Sequence, residues 1–394
     1  ILMKEREQIL QNIIDAGLKL RKEGLIVRTW GNISARVSDT EFAITPSGRD
    51  YSTLTTDDLV IVDIKTGSYD TTLRPSGEVE LHRAIYLKRS NTGFVIHTHQ
   101  DYATILSITG ENLIIDSNNE VFPCAKYAIC CSDTLASNVS KVLTEYPDAR
   151  GILLKGHGFV ALGSDMEGAF AIAEEVEEAS KLSFTAACGG IISGSTKQMK
   201  KDYGRSRLDE GFVTLTIGSS SAHWPVGYAA KSDRKAIPRK LRAAALVHDA
   251  IYSGNPAVRN IRHLINDAVL TVSGTDNDNF KKGFRPYTDD QAQLIGNNLR
   301  LINPAFILGR LTNTGRLKRI AAQSNAMLLK SGGALIWNTS ADDVDACERI
   351  LTKGCMAAIY AAVCDKASII PRKTACKMRD IYVNSYSKLK NGED

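Results

Sequence analysis

His97-Thr98-His99 closes an apolar run that begins at Phe94. On a β-strand, residues i and i+2 face the same way, so both imidazoles can reach one divalent ion. An isolated pair of this kind is as readily two core or hydrogen-bonding histidines as a metal site. His157 adds a third imidazole. It stands between Gly156 and Gly158, directly after the apolar Ile152-Leu153-Leu154. Three neutral imidazoles with an open fourth position make a catalytic rather than a structural zinc site; the competing account of His157 is a plain turn residue. Glu78 follows Pro75-Ser76-Gly77 where a helix should start. A lone glutamate there is ordinarily a favourable partner of the helix dipole. Beside an ion it becomes a general acid/base, expected to have its pKa raised by partial burial.

Three turns of small residues could cradle an anion with hydroxyls and free N–H groups: Gly31-Asn32-Ile33-Ser34, Thr45-Pro46-Ser47-Gly48 and Ser76-Gly77. Each alone reads as an ordinary turn. No GxGxxG follows a strand and no GxxxxGK[ST] is present, so neither a dinucleotide nor a P-loop nucleotide site is indicated.

The elements that must carry these residues are short. An amphipathic helix is expected over 3–22, from Leu10, Ile13, Ile14, Leu18 and Leu20. Strands follow at 33–37, 41–44 and 59–63, then a helix over 78–90, a buried strand over 94–99 and a helix over 101–108. A strand over 151–154 runs into Gly156-His157-Gly158, and Ser164-x-x-Glu167 reads as the capping box of a long helix to about 185. This mixture predicts a layered α/β fold. With 394 residues, 43% hydrophobic and 24% charged, the chain should form two domains, divided in the hydrophilic stretch 197–209: 1–205 and 206–394. A net charge of +5 is too small and dispersed to indicate nucleic acid. No apolar run approaches the roughly 20 residues of a membrane span, and the first residues do not read as a signal peptide. The eight cysteines show no CxxC and suggest free, mostly buried thiols in a reducing cytoplasm.

The second half repeats the first. Leu81-His82-Arg83-Ala84-Ile85-Tyr86 matches Val247-His248-Asp249-Ala250-Ile251-Tyr252, 82 falling on 248, and in the same frame His97 falls on His263 and Asp101 on Asp267. Leu153-Leu154-Lys155 matches Leu328-Leu329-Lys330, and the box at Ser164 matches Ser340-x-x-Asp343 one residue further on. The second copy is expected to be shortened at its start. The copies differ where chemistry would sit: His99 becomes Ile265, His157 falls on Gly332 or Gly333, and Glu78 falls on Ala244.

The first half resembles the class II aldolase/adducin superfamily, and within it the fuculose-phosphate aldolase branch. The resemblance rests on Thr29-Trp30-Gly31-Asn32-Ile33-Ser34, Ile44-Thr45-Pro46-Ser47-Gly48, Pro75-Ser76-Gly77-Glu78, His97-Thr98-His99, Pro123-Cys124-Ala125-Lys126-Tyr127 and Gly156-His157-Gly158, in family order over about residues 5–185. It implies a mainly antiparallel sheet flanked by helices, followed by a degenerate repeat that is structural or serves oligomerisation. It implies His97, His99 and His157 as ligands of Zn2+, with Mn2+ or Co2+ as alternatives. Glu78 would be the acid/base, Tyr127 would protonate the aldehyde oxygen, and Gly31, Asn32, Ser47, Gly48, Ser76 and Gly77 would line the phosphate site. Two departures stand out. The branch has a second serine where Gly77 stands, and its C-terminal catalytic tyrosine has no evident counterpart here.

The expected function is therefore a cytoplasmic, metal-dependent lyase. It would cleave a short ketose 1-phosphate reversibly to dihydroxyacetone phosphate and an aldehyde, through a metal-stabilised enediolate. Sugar-phosphate dehydratase, 4-epimerase and sugar-acid decarboxylase are the alternatives within the superfamily, and an adducin-like scaffold is the alternative outside enzymes. The expected partner is a small phosphorylated sugar, with no nucleic acid and no membrane. The chain is expected to form a homo-oligomer, either a dimer of tandem chains or a tetramer.

Overall fold

A computed structural model describes residues 2–115, 117–192, 201–231, 235–274, 280–303 and 314–386. The chain divides into two compact units. The first is Ile1–Ala187 with Cys364–Ser368 and Ile381–Asp394; the second is Cys188–Val363 with Ile369–Asp380. The division falls inside a helix, not in the hydrophilic stretch expected to separate the domains. Of that stretch, 197–200 lie outside the described residues and Arg205–Asp209 form a strand.

In the first unit, α1 (Leu2–Lys22) precedes a meander of β1 (Gly31–Arg36), β2 (Glu41–Ile44) and β3 (Val60–Asp63). Ile13, Ala16 and Leu20, spaced at i, i+3 and i+7, are fully buried on α1, whereas Leu18 lies off that face and is 43% exposed. After α2 (Val79–Lys88), β4 (Phe94–Thr98) and α3 (Asp101–Ser107) come the hairpin of β5 (Leu113–Ile115) with β6 (Glu120–Phe122) and then β7 (Cys124–Ala125). The unit continues with α4 (Asp133–Glu145), β8 (Gly151–Leu154), β9 (Gly158–Gly163) and α5 (Met166–Ile192). Seven strands form one sheet in the order β3-β2-β1-β4-β9-β8-β7. Its pairings are antiparallel except β7 with β8. Leu81, Ile85 and Tyr86 of α2 and Leu135, Val139 and Leu143 of α4 pack with Phe42, Val62, Val95, Ile152 and Val160 of the strands into one apolar cluster. His97, two residues beyond Val95, therefore faces the same side of the sheet as α2.

The second unit has the same plan. Its meander is β10 (Arg205–Asp209), β11 (Phe212–Ile217) and β12 (Ser220–Pro225), followed by α6 (Arg242–Gly254), β13 (Asn260–Leu264) and α7 (Asp267–Ser273). Then come β14 (Gly283–Phe284), β15 (Leu299–Ile302), α8 (Thr314–Gln323), β16 (Ala326–Leu329), β17 (Ala334–Asn338), α9 (Ala341–Val363) and α10 (Arg372–Ile381). The sheet order is β12-β11-β10-β13-β17-β16-β15-β14. With the edge strand β14 set aside, this order follows the first sheet strand for strand, down to its one parallel pair, β15 with β16. The registers agree as well: Ser34 pairs with Val95 and Ser206 with Ile261, and His97 pairs with Val160 and His263 with Leu335. The meander at the start of the second unit is complete, so the expected shortening does not reach the sheet.

Two details correct the sequence reading. Asp165, not Ser164, caps α5, its Oδ1 accepting from Gly168 N at 2.8 Å. In the second unit Ser340 Oγ accepts from Asp343 N at 3.1 Å. Asp165 and Ser340 thus correspond in the same frame as Leu153 and Leu328, and the one-residue slip between the boxes disappears. All eight cysteines are free, but three are buried, four half-buried and Cys131 exposed, so most are not core thiols.

Candidate metal centre and active site

Close strand packing makes the site. β1 lies beside β4 with Asn32 opposite His97, and β9 lies on its other side with Val160 opposite His97. Gly31 adopts φ +128°, and a Cβ there would stand 2.7 Å from the His97 carbonyl oxygen. A Cβ on Gly158 would stand 2.2 Å from the Thr98 carbonyl oxygen. Glycine at both positions is what lets three strands close around His97. His99 follows the end of β4, and His157 sits in the turn between β8 and β9.

The three histidines expected from sequence converge. His97, His99 and His157 are buried, and each offers one ring nitrogen within 4.8 Å of the others. His97 Nε2 lies 3.1 Å from His157 Nε2 and 3.2 Å from His99 Nε2. Glu78, at the N-cap of α2 and 6% exposed, joins them. Its Oε2 is 3.2 Å from His97 Nε2 and its Oε1 is 3.0 Å from His157 Nε2. His97 Nδ1 donates to the Phe159 carbonyl at 3.0 Å, so in the neutral ring Nε2 carries a lone pair directed at the other groups. Nitrogens bearing lone pairs, packed about 3 Å apart with a carboxylate, repel unless a cation sits among them. Glu78 Oε1 also lacks a donor of acceptable geometry. The donor set therefore fits a divalent ion held by imidazole and carboxylate, and these ligand types suit zinc, manganese or cobalt.

The electrostatics overturn one expectation. Burial alone would raise the Glu78 pKa, as the sequence reading supposed. Against burial, the imidazoles of His97, His157 and His99 packed beside it hold the carboxyl well below its usual range. Burial pushes His97 down from 6.5. Glu78 is thus placed to accept a proton or to ligate.

The expected phosphate turns come together on one side of Glu78. Ser76 N donates to Thr45 O at 3.0 Å and Ser47 N to Arg74 O at 3.1 Å. Ile33 N donates to Thr45 Oγ1 at 3.2 Å, which ties the start of β1 to the same place; Gly31–Ser34 is strand and not the turn expected from sequence, because it pairs with β4. Ser76 is buried, its Oγ accepting from Glu78 N at 3.3 Å. Ser47 and Gly77 are exposed and Gly48 half-buried, and a Cβ on Gly48 would meet no atom within 4 Å. At Gly77 a Cβ would stand 2.7 Å from Cys131 Sγ; a thiol takes the space that a side chain at 77 would fill. Asn32 differs from the other members, because its side-chain amide is bonded to Glu78 and His82. Tyr127 is half-buried beyond β7. Because β7 runs parallel to β8, Tyr127 and His157 leave the same end of the sheet.

Arg28 and Tyr382 were missed in the sequence. Tyr382, in a π-helical turn Tyr382–Tyr386, lies edge-on to Trp30 at 6.2 Å, and Trp30 lies 6.3 Å from the His99 ring. Arg28 Nη1 donates to Tyr382 Oη at 2.9 Å. A tyrosine from the end of the described chain thus stands behind the His99 side of the site. No local pattern announces it, since 354 residues separate the two partners.

Residues 11–184 match the family model described as "Class II Aldolase and Adducin N-terminal domain". The chain is 33% identical to the L-fuculose phosphate aldolase of Haemophilus influenzae over 178 residues, which are 44% of this chain and 80% of that protein. It is 32% identical to the methylthioribulose-1-phosphate dehydratase of Pseudomonas syringae pv. tomato over 187 residues, 44% of this chain and 92% of the relative. Among solved structures, an L-fuculose 1-phosphate aldolase is similar at 32% identity and a TM-score of 0.43, over 45% of this chain and 86% of that one.

Proposed function

The chain belongs to the class II aldolase and adducin family, and from that premise we propose that its first unit is a metal-dependent lyase. It cleaves a short ketose 1-phosphate reversibly to dihydroxyacetone phosphate and an aldehyde. The observation that carries this reading is the convergence of three imidazole nitrogens and the Glu78 carboxylate at 3.0–3.2 Å.

His97, His99 and His157 would hold a divalent ion beside the Glu78 carboxylate, zinc first and manganese or cobalt as alternatives. Such an ion supplies Lewis-acid stabilisation for negative charge that develops on substrate oxygens. In the cleavage direction, the hydroxyl that becomes the aldehyde passes its proton to the deprotonated Tyr127 oxygen and the neighbouring carbon–carbon bond breaks. The electron pair stays with the dihydroxyacetone phosphate fragment. Glu78, in its protonated form, returns a proton to that carbon; in the synthetic direction its carboxylate removes the same proton. Tyr127 serves the aldehyde oxygen. Gly31 and Asn32 at the start of β1 and the turns at Ser47, Gly48, Ser76 and Gly77 receive the phosphate, the Asn32 contribution coming from its backbone.

The similarity to a methylthioribulose-1-phosphate dehydratase supports a second reading, elimination of water from a related sugar phosphate by the same carboxylate. The second unit we read as a degenerate copy of the first, structural or oligomerising in role, in a cytoplasmic homo-oligomer. The matching strand order and registers support that reading.

Zinc-loaded protein, dihydroxyacetone phosphate and D2O test the aldolase reading, with loss of one C3 proton followed by NMR. The expected result is exchange in the wild type and none in Glu78→Gln or His99→Ala. Bound metal without exchange would discard the aldolase reading and favour the dehydratase. Protein that retains no metal would return the scaffold alternative.

A further inference from the structure

A line of buried polar groups leads away from Glu78 into the core. Asn32 Nδ2 donates to Glu78 Oε2 at 2.7 Å. Asn32 Oδ1 lies 2.5 Å from His82 Nε2. His82 Nδ1 lies 2.6 Å from Ser34 Oγ, and Ser34 Oγ lies 2.9 Å from Tyr86 Oη. His82 and Ser34 are 0% exposed, Tyr86 3% and Asn32 6%, so water cannot substitute for a missing partner.

Elementary valence gives every bond in this line a direction. Asn32 turns its NH2 toward the Glu78 carboxyl. Its oxygen then faces His82, which must donate from Nε2. In a neutral ring that donates from Nε2, Nδ1 is left as an acceptor. Ser34 donates to Nδ1 and accepts from Tyr86. A single imidazole tautomer therefore decides which end of the Asn32 amide meets Glu78.

The second unit separates the two ends of this line. Ser206 Oγ lies 2.6 Å from His248 Nδ1 and 2.9 Å from Tyr252 Oη, the same distances as in the first unit. Yet Gly204 stands where Asn32 does and Ala244 where Glu78 does. The Ser–His–Tyr clamp is thus a device that joins helix to strand in both units. The outward link from the ring Nε2 through an asparagine to a carboxylate belongs to the first unit alone.

We propose that His82 and Asn32 are positioning residues for Glu78: the Nε2–H of His82 locks the Asn32 amide so that it holds one carboxylate oxygen and aims the other at the site. This deepens the lyase reading and rests on it for the kinetic part of its test only. It also gives the Asn32 side chain a role apart from substrate phosphate.

Two measurements decide it. The first uses full-length protein labelled with 15N-histidine, in which His82→Gln identifies the His82 signals. An Nε2–H tautomer is expected; an Nδ1–H tautomer overturns the proposal, because it would turn the Asn32 oxygen toward the carboxylate. This holds whether or not the protein is a lyase. The second compares His82→Asn, His82→Gln, His248→Asn and His248→Gln by deuterium exchange into dihydroxyacetone phosphate. Asparagine keeps a polar group near the Nδ1 position and glutamine near the Nε2 position. His82→Asn should lower kcat by about 10- to 100-fold, with KM changed less than about threefold. His82→Gln should recover most of the loss, and both His248 variants should match the wild type. Equal losses in the two His82 variants, or a His248→Asn loss as large as that of His82→Asn, would reduce the line to its clamp and overturn the proposal. A wild type without exchange would count against the lyase reading and leave the tautomer to decide the rest.

Discussion

The two units hold the same Ser–His–Tyr clamp on the same sheet and differ within a few ångströms of it. In the first, His97, His99, His157 and Glu78 face one another at 3.0–3.2 Å. In the second, the position of His157 is Gly332, and the Gly332 carbonyl instead accepts from His263 Nε2 at 2.6 Å. His263 Nδ1 lies 3.0 Å from Asp202 Oδ1, so both nitrogens of the surviving histidine are used within the protein. Buried charge has moved too. The second unit keeps it in Lys353 and Asp290, 1% and 0% exposed and paired with each other. A fold of this plan therefore tolerates loss of the convergent ligands, provided the remaining polar groups find internal partners.

The largest effect that would break this comparison concerns metal. The chain should bind one zinc, measured by elemental analysis after dialysis. His99→Ile, which copies Ile265 into the first unit, should reduce that to near zero, and a full equivalent of zinc retained by this variant would show that His99 is not a ligand. Next in size is Lys353→Met. It strands a buried carboxylate and should cost about 3–5 kcal/mol, seen as earlier urea unfolding of the second unit with the zinc content unchanged.

The two clamp histidines make a contribution that is confined to acid pH. Burial lowers His82 and His248 to about 3. A folded-state value below the unfolded 6.5 means that the unfolded chain binds more protons between the two. Stability is thus fully present above about pH 6.5 and falls as pH drops toward 3, by about 1.4 kcal/mol per pH unit for each histidine. Replacing either by glutamine should flatten the urea-midpoint profile over that window, and an unchanged slope would deny the buried, neutral state. The smallest effect is at the caps: Asp165→Ala and Ser340→Ala should each cost about 0.5–2 kcal/mol, and Ser164→Ala much less, by thermal melting.

Much of the site was legible because local rules place it. The i, i+2 pair His97 and His99 and the glycine-flanked His157 needed only strand geometry, and the repeat appeared from aligned blocks. What stayed hidden depends on neighbours distant in sequence. The sign of the Glu78 shift is set by His97, His157 and His99, which no property of residue 78 announces. Asn32 read as a turn residue because its partners, Glu78 and His82, come from the following helix. The division of the chain lies inside an unbroken helix, where composition gives no mark.

The return of residues 381–386 to the first unit has a consequence for how the protein is made. The ribosome delivers every proposed ligand of the ion by residue 157, long before it delivers Tyr382. The first unit can gather its ligands early, but the partner of Trp30 and Arg28 arrives only after the whole second unit has been translated. A nascent chain stalled between the two would carry a metal centre with that flank still open.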